Sequence, residues 1–213
     1  FHMIAEEAAR RELLDSYVKF VFHAPYYSQK TTRTVHSELC RHLPSILNPQ
    51  NTDFLTVHKF MRYSGIFFDL IIKSMVQHLL DTGRIRMLRN ERFSKEYPGR
   101  LENLLKILIP YLIARNKDLA VETQFLNKSL SKFVRRCLSF MDRGFVFKLI
   151  RHYMEQFGPG DSRVLQEFKL DFLQELCQHE HYVALNLPFV LNPKNRPPEM
   201  MLHFTLSEEF CRQ

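Results

Sequence analysis

Apolar residues recur along the chain at the spacing of one face of an α-helix. The template i, i+3, i+4, i+7, i+8, i+11 is met twice in full, and this pattern indicates amphipathic helices. Pro110 lies inside the first of these two stretches and predicts a kink near its end. The two stretches predict a fourth and a fifth helix, with core faces formed by Leu101, Leu104, Leu105, Leu108, Ile109 and Leu112, and by Leu130, Phe133, Val134, Cys137, Leu138 and Met141.

Shorter stretches with the same periodicity predict five more helices. The third helix is apolar on nearly all sides over residues 67–72, which is typical of a buried helix. Gly83 suits its C-terminal end, because glycine adopts the left-handed conformation without steric cost. The five helices have predicted limits near Leu14 and Phe22, Thr34 and Leu43, Asp53 and Gly83, Phe145 and Phe157, and Asp161 and Cys177, with Asp53 and Asp161 as N-caps.

Strong strand-like alternation is absent, so the pattern predicts an all-α fold of about seven helices. Amphipathic helices joined by short turns pack as antiparallel pairs, either in a globular bundle or in an α-solenoid of the armadillo or HEAT kind. No tetratricopeptide or ankyrin consensus is present, and no fixed-period repeat is obvious, but helix pairs of about 40–47 residues match the spacing.

The chain divides into three predicted regions. Residues 1–182 form the helical-repeat region, and residues 183–203 form a Pro-rich loop. Residues 204–213 form the start of another helix, with Ser207 as its N-cap. Because that helix is begun and then cut, we expect the chain to be one section of a longer protein.

The composition narrows the class of protein. With 213 residues, 6 Gly, 10 Pro, 45% hydrophobic and 25% charged residues, a disordered, low-complexity or collagen-like chain is excluded and a turn-rich β protein is disfavoured. No signal-peptide pattern is present, and no apolar run reaches the ~18–20 residues of a membrane span. The four cysteines are widely spaced, which predicts reduced core thiols in a cytosolic protein rather than disulfides or a zinc site.

The charge is basic and unevenly distributed. The chain carries 30 Lys and Arg against 23 Asp and Glu, a formal net charge of +7. Nucleic acid is disfavoured as the partner, because aromatic residues are not interleaved with the cations. An anionic membrane or an acidic protein remains, although charged side chains on helices are usually just solvated. Two clusters are candidate surfaces for such a partner: Arg84, Arg86, Arg89 and Arg92, and then Lys128, Lys132, Arg135 and Arg136.

No residue pattern in the chain indicates a reaction. His179, Glu180 and His181 suggest zinc, but helical zinc sites place histidines at i and i+4 and these lie at i and i+2. A polar helix end is the better interpretation, and a small zinc protein or enzyme using these residues is the weaker alternative. Phosphate loops and nucleophile elbows are not present. Cys137 and Cys177 lie on apolar helix faces, where thiols are inert. We therefore predict no catalytic residue, metal ligand or cofactor.

A compact corner lies between the fifth and sixth predicted helices. Asp142 is suited to be the N-cap of the sixth helix, and Gly144 to permit a sharp turn. Arg143 is expected to pair with a neighbouring carboxylate. The corner is interpreted as structural, with a partner-binding corner as the alternative.

Several short segments, in a consistent order along most of the chain, resemble the dedicator of cytokinesis (DOCK) family, and within it the zizimin-like or closely related subfamilies. They are YS at 63–64, FFD at 67–69, IKSM at 72–75, QHL at 77–79, LRN at 88–90, RF at 92–93, FMDRGFVF at 140–147, HEHY at 179–182 and LNLP at 185–188. Each segment alone is a weak signal, but together they are fairly specific.

The resemblance implies a role for the chain within a larger protein. In that family a C-terminal region exchanges nucleotide on Rho-family GTPases, and a C2-like lipid-binding region lies earlier. The chain looks like the armadillo-like helical region between them, which implies a non-catalytic scaffold in a cytoplasmic protein that is recruited to membranes. The expected partners are other regions of the parent protein, a Rac-like or related GTPase through the exchange region, and a second copy in a homodimer.

Overall fold

The computed structural model describes residues 34–47 and 54–181, and these residues form helices and turns with no strand. The predicted first helix near Leu14, the Pro-rich loop at 183–203 and the segment 204–213 lie outside the described residues. The all-α prediction is confirmed. The described helices are α1 (Val35–Ile46), α2 (Phe54–Arg62), α3 (Ser64–Asp81), α4 (Tyr97–Ala114), α5 (Ala120–Phe140), α6 (Arg143–Glu155) and α7 (Arg163–Cys177), with short 3₁₀ turns at Arg84–Arg86 and Arg89–Glu91.

The predicted third helix is two helices, because the chain bends at Tyr63. Tyr63 has φ −108° and ψ 16°, outside the helical region. The Ser64 hydroxyl donates to the Met61 carbonyl at 2.9 Å, and such a side-chain bond competes with the backbone ladder. The apolar pattern of the sequence continues across this break and therefore does not predict it. The bend matters for the surface described below, because it places Arg62 at the end of a separate helix.

Helices α3 and α5 run parallel and close together. The hydroxyls of Ser64 and Ser129 lie 2.6 Å apart, 65 residues apart in sequence. Further along, Asp69 accepts from Arg136, 67 residues away in sequence. From the first contact to the second, the residue number increases along both helices, so the two helices run in the same direction.

Helices α5 and α7 repeat the parallel arrangement. The Asn127 amide donates to the Phe168 carbonyl at 3.0 Å, an offset of 41 residues. Ser139 in the last turn of α5 is hydrogen-bonded to His179, which lies just after the end of α7, at an offset of 40 residues. Helix α6 connects the two parallel helices, so α5, α6 and α7 have the form of one helical repeat and the start of the next.

A continuous apolar core joins the helices. Phe68 of α3 stacks on Phe133 of α5, with ring centroids 4.8 Å apart. At the α6–α7 contact, Tyr153 stacks on Phe172 at 3.7 Å. Because α5 contacts every other helix except α1 along its length, it is the central element of the core.

The buried histidine and thiols lie in the core between α1, α3 and α4. The Ser74 hydroxyl accepts from the His36 backbone N–H and is also hydrogen-bonded to Nδ1 of the His36 ring, each at 3.0 Å. Burial, with His78 nearby, lowers the pKa of His36 to about 3. Burial raises the pKa of the Cys40 thiol to about 12 and that of Cys137 further, and both thiols lie in the core as predicted. Cys177, which was also predicted to be an inert core thiol, is only partly buried.

Of two local predictions, one is confirmed and the other is wrong. Gly83 follows the end of α3 with φ +68°, the predicted left-handed residue. The predicted N-cap at Asp161 is wrong: Ser162 occupies the N-cap position of α7. The Asp161 carboxylate instead accepts from the Gly158 N–H at 2.7 Å, because the Gly-Pro-Gly turn places that donor closer than the helix N-terminus.

Candidate functional site

A groove lies between α3 and α5. The cations of the second predicted cluster that form no ion pair line this groove. It has a volume of about 440 Å³, and its floor is formed by the stacked rings of Phe68 and Phe133. Residues of three helices form its walls, because Arg62, the last residue of α2, lies beside the start of α3. The lining residues are Arg62, Gly65, Phe68, Asp69, Phe125, Lys128, Ser129, Lys132, Phe133 and Arg136.

The four cations of the groove differ in their partners. Arg136 forms an ion pair with Asp69. Within residues 34–47 and 54–181, Arg62, Lys128 and Lys132 form no ion pair with a carboxylate, and all three side chains are exposed. The groove therefore has three uncompensated positive charges above an aromatic floor.

Arg135 points away from this groove although it is adjacent to Arg136 in sequence. Its guanidinium lies 3.1 Å from the Glu175 carboxylate and donates to Gln178 at 3.3 Å, both toward α7. A second groove, of about 470 Å³, lies there between α5 and α7 and is lined by Asp171, Glu175 and several amides, and Lys128 at the rim lines both grooves. The predicted cluster on α5 is thus divided between a basic groove and a mixed one.

The first predicted cluster lies in and just after the two 3₁₀ turns, and two of its arginines bind backbone carbonyls of α5. Arg89 donates to the Leu138 carbonyl at 2.5 Å, and Arg92 donates to the Phe140 carbonyl at 3.3 Å. These carbonyls belong to the last turn of α5, where a helix lacks internal donors. Arg89 and Arg92 therefore cap α5, and their charge complements the negative end of its dipole.

The other two arginines of this cluster lie further from the core. Arg84 donates to the Glu91 carbonyl at 3.2 Å within the same connection. Arg86 is exposed, and no hydrogen bond or ion pair joins its guanidinium to another described residue. Of the first cluster, Arg86 thus leaves its whole guanidinium available to a partner.

Replacing Arg89 with alanine is expected to lower the free energy of unfolding by about 1–2 kcal/mol, because a charged donor to buried carbonyls is lost. Denaturant unfolding of the chain followed by circular dichroism measures the change. The matched control is Arg86→Ala in the neighbouring turn, which we expect to shift stability by less than about 0.5 kcal/mol. Equal effects of the two substitutions would show that the α5 cap contributes nothing specific.

The predicted corner is confirmed at its N-cap and differs in its other details. The Asp142 carboxylate accepts from the Phe145 N–H at 2.8 Å. Gly144 lies within α6 rather than at a turn, and a Cβ there would lie 3.1 Å from the cap carboxylate, so its small size leaves room for the cap. Arg143 has no carboxylate partner among the described residues, and its Nε is buried without a hydrogen bond.

His179 supports this corner through both ring nitrogens. Nδ1 accepts from the His181 N–H at 3.0 Å, so Nε2 carries the proton and donates to Ser139 at 2.9 Å. Burial is the main cause that lowers the pKa of both histidines. In the part of the chain that the structure describes, no three His, Cys, Asp or Glu side chains come close enough to share a metal ion.

Sequence reasoning missed Arg62, which is a wall of the basic groove. It lies outside both clusters, and the break after it was not visible in the apolar pattern. Its exposed position in the last turn of α2 and its proximity to α5 depend on tertiary packing. The spacing of Lys128, Lys132 and Arg136 on one face of α5 was the available signal for the opposite wall.

The geometry defines the class of the molecule as an all-α helical-repeat segment with basic and apolar surfaces. None of the described helices is long and apolar enough to cross a membrane. Residues 1–177 match the family described as "DOCK6-11, TPR domain".

The chain belongs to this dedicator of cytokinesis family. It is 41% identical to dedicator of cytokinesis protein 9 of mouse and of human, over 99% of the chain and 10% of each relative. Dedicator of cytokinesis protein 11 of zebrafish is 33% identical over 99% of the chain and 11% of its own length. The chain thus spans about a tenth of the curated relatives that it matches, and no solved structure matches it.

The family description names a TPR domain, whereas the sequence predicted an armadillo-like or HEAT-like arrangement. A TPR unit has about 34 residues, and HEAT or armadillo units have about 40–47. The contacts of α5 with α7 have offsets of 40 and 41 residues. In length, the one repeat step seen here is closer to the armadillo and HEAT class, and both descriptions agree on a helical repeat.

Proposed function

We propose that the chain is a non-catalytic helical scaffold within a DOCK-type guanine-nucleotide exchange factor for Rho-family GTPases. It holds the lipid-binding and exchange regions of the parent protein at a set separation. The observation that carries the proposal is the parallel stacking of α3, α5 and α7 around one core, because a repeat stack is stiff and leaves a long surface free.

Two buried thiols and a hydrogen-bonded histidine have structural roles, which supports a scaffold rather than an active site. The thiols of Cys40 and Cys137 are buried, and burial holds the pKa of each above its usual range. Both nitrogens of His179 are occupied by hydrogen bonds. On this proposal the GTPase is bound through the parent's exchange region, in the cytoplasm or at a membrane to which the parent is recruited. The free surfaces of the scaffold serve dimerisation, autoinhibition or a regulatory partner.

A nucleotide-release assay tests the scaffold proposal. We expect the purified chain to leave the release of fluorescent GDP from a Rac-like GTPase at its intrinsic rate, while the parent protein accelerates it. A fold check by circular dichroism accompanies the assay. Robust acceleration by the chain alone would overturn the proposal.

A second candidate function is direct binding of an anionic partner through the basic surface. The observation that favours it is the position of Arg62, Lys128 and Lys132, which line one groove without an ion pair among the described residues. The first cluster supports this function less well, because Arg89 and Arg92 are engaged with α5.

A further inference from the structure

The α3–α5 groove combines positive charge with an aromatic floor. Phe68 and Phe133 line its base, and the exposed cations stand along its walls. A volume of about 440 Å³ falls within the usual range for pockets that enclose a ligand group. Phe68 and Phe133 are only 2% and 1% exposed, so the apolar surface that a ligand can contact is mainly that of Phe125 at the rim.

The cations lie on opposite sides of the groove. Arg62 ends α2 on the α3 side, while Lys128 and Lys132 lie one turn apart on α5. An elongated ligand that enters the groove is contacted from both walls. A flat surface would meet the rims and leave the aromatic floor unfilled.

The positive surface of α5 ends on its α7 side, because the neighbouring groove there contains carboxylates. Asp171 of α7 is exposed there, and Glu175 is compensated by Arg135. A flat anionic bilayer laid across α5 would bring its phosphates near Asp171, which is unfavourable for like charges. A narrow acidic ligand confined to the α3–α5 groove avoids this contact.

Phe125 adds an apolar contact at the rim. It lines both grooves and has 50% of its surface exposed, so its ring is accessible to a ligand. Lys128 lies one turn further along the same face of α5. The rim therefore repeats the combination of aromatic and cationic groups found inside the groove.

We propose that the α3–α5 groove binds an acidic segment of a partner protein that places an apolar side chain against Phe125 at the rim. This inference deepens the second candidate function and rests on it, and it is independent of the scaffold role. Charge complementarity with three unpaired cations and the half-exposed ring of Phe125 argue for a protein segment rather than for a lipid surface.

Fluorescence anisotropy with a fluorescein-labelled peptide of glutamate and leucine tests the inference. We expect saturable binding that weakens as salt rises, and binding at least about tenfold weaker for the matching peptide of glutamine and leucine. The double variant Lys128→Glu with Lys132→Glu is expected to weaken binding at least about tenfold. Arg62→Glu tests the opposite wall and is expected to weaken binding in the same direction.

The control is Lys95→Glu with Lys117→Glu, which makes the same change in net charge at exposed positions outside the groove. We expect it to change the affinity by less than about twofold, since screening limits distant charges. Phe125→Ala is expected to weaken peptide binding while leaving the charge unchanged. If the control weakens binding as much as the groove variants do, the attraction is diffuse and the inference is wrong.

Sedimentation with vesicles of phosphatidylserine and phosphatidylcholine separates the inference from the function on which it rests. Vesicle binding that is lost in the groove variants, with no peptide binding, would overturn the peptide inference and leave an anionic partner in place. Binding of neither probe would overturn both. Peptide binding with groove dependence supports both.

Discussion

Replacing Phe133 with alanine is expected to lower the free energy of unfolding by about 3–5 kcal/mol. The side chain is 1% exposed and stacks on Phe68 across the α3–α5 contact. Its loss removes apolar burial and leaves a cavity in the core between the two helices. Urea unfolding of the chain, monitored by circular dichroism, measures the change.

Phe125→Ala is the matched control on the same helix. Phe125 is half exposed, so the same substitution there is expected to change stability by less than about 0.5 kcal/mol. A loss at Phe133 no larger than the loss at Phe125 would contradict the central position assigned to the Phe68–Phe133 stack.

Replacing Asn127 with leucine is expected to lower the free energy of unfolding by about 2–3 kcal/mol. Asn127 is 2% exposed and joins three helices: its amide donates to the Phe168 carbonyl of α7, and it accepts from the Tyr153 hydroxyl of α6 at 2.5 Å. Leucine leaves the hydroxyl with only its 3.3 Å bond to the same carbonyl, and the carbonyl without its amide donor. Thermal unfolding and urea unfolding both report the change.

Two further variants test whether the loss of stability comes from the hydrogen bonds of Asn127. Tyr153→Phe keeps the stacking on Phe172 and removes one hydroxyl, so a smaller loss of about 1 kcal/mol is expected. Gln124→Leu places the same new side chain on an exposed position of α5 and is expected to be nearly neutral. If Asn127→Leu were as mild as Gln124→Leu, the polar contact would contribute nothing to the α5–α7 repeat step.

Both predictions concern α5 because it connects the structural and the functional surfaces. Its buried side holds α3, α6 and α7 together, and its exposed side carries Lys128 and Lys132. Substitutions on the buried side are expected to reduce stability, and those on the exposed side to reduce binding of an anionic partner. The separation of these two outcomes on one helix makes the scaffold and the groove independently testable.

Much of the local structure was predictable from the chain. The apolar template located the core faces of α4 and α5, and every residue of both predicted sets is buried. Gly83 and Asp142 were recognised because their roles depend on backbone conformation and on donors three residues away. The break at Tyr63 and the cap of α7 were not, since each depends on which of several nearby hydrogen bonds forms.

The sequence by itself determined the helices, their buried faces, and the membership of this chain in a family of helical-repeat proteins. The tertiary structure alone decided which cations are available to a partner. Both predicted clusters have similar composition, yet Arg89 and Arg92 cap α5, Arg135 pairs with α7, and Lys128 and Lys132 join Arg62 around a groove. The physical reason is that helix periodicity depends on neighbours three or four residues apart, whereas the carbonyls and carboxylates that these cations meet lie 40 or more residues away in sequence.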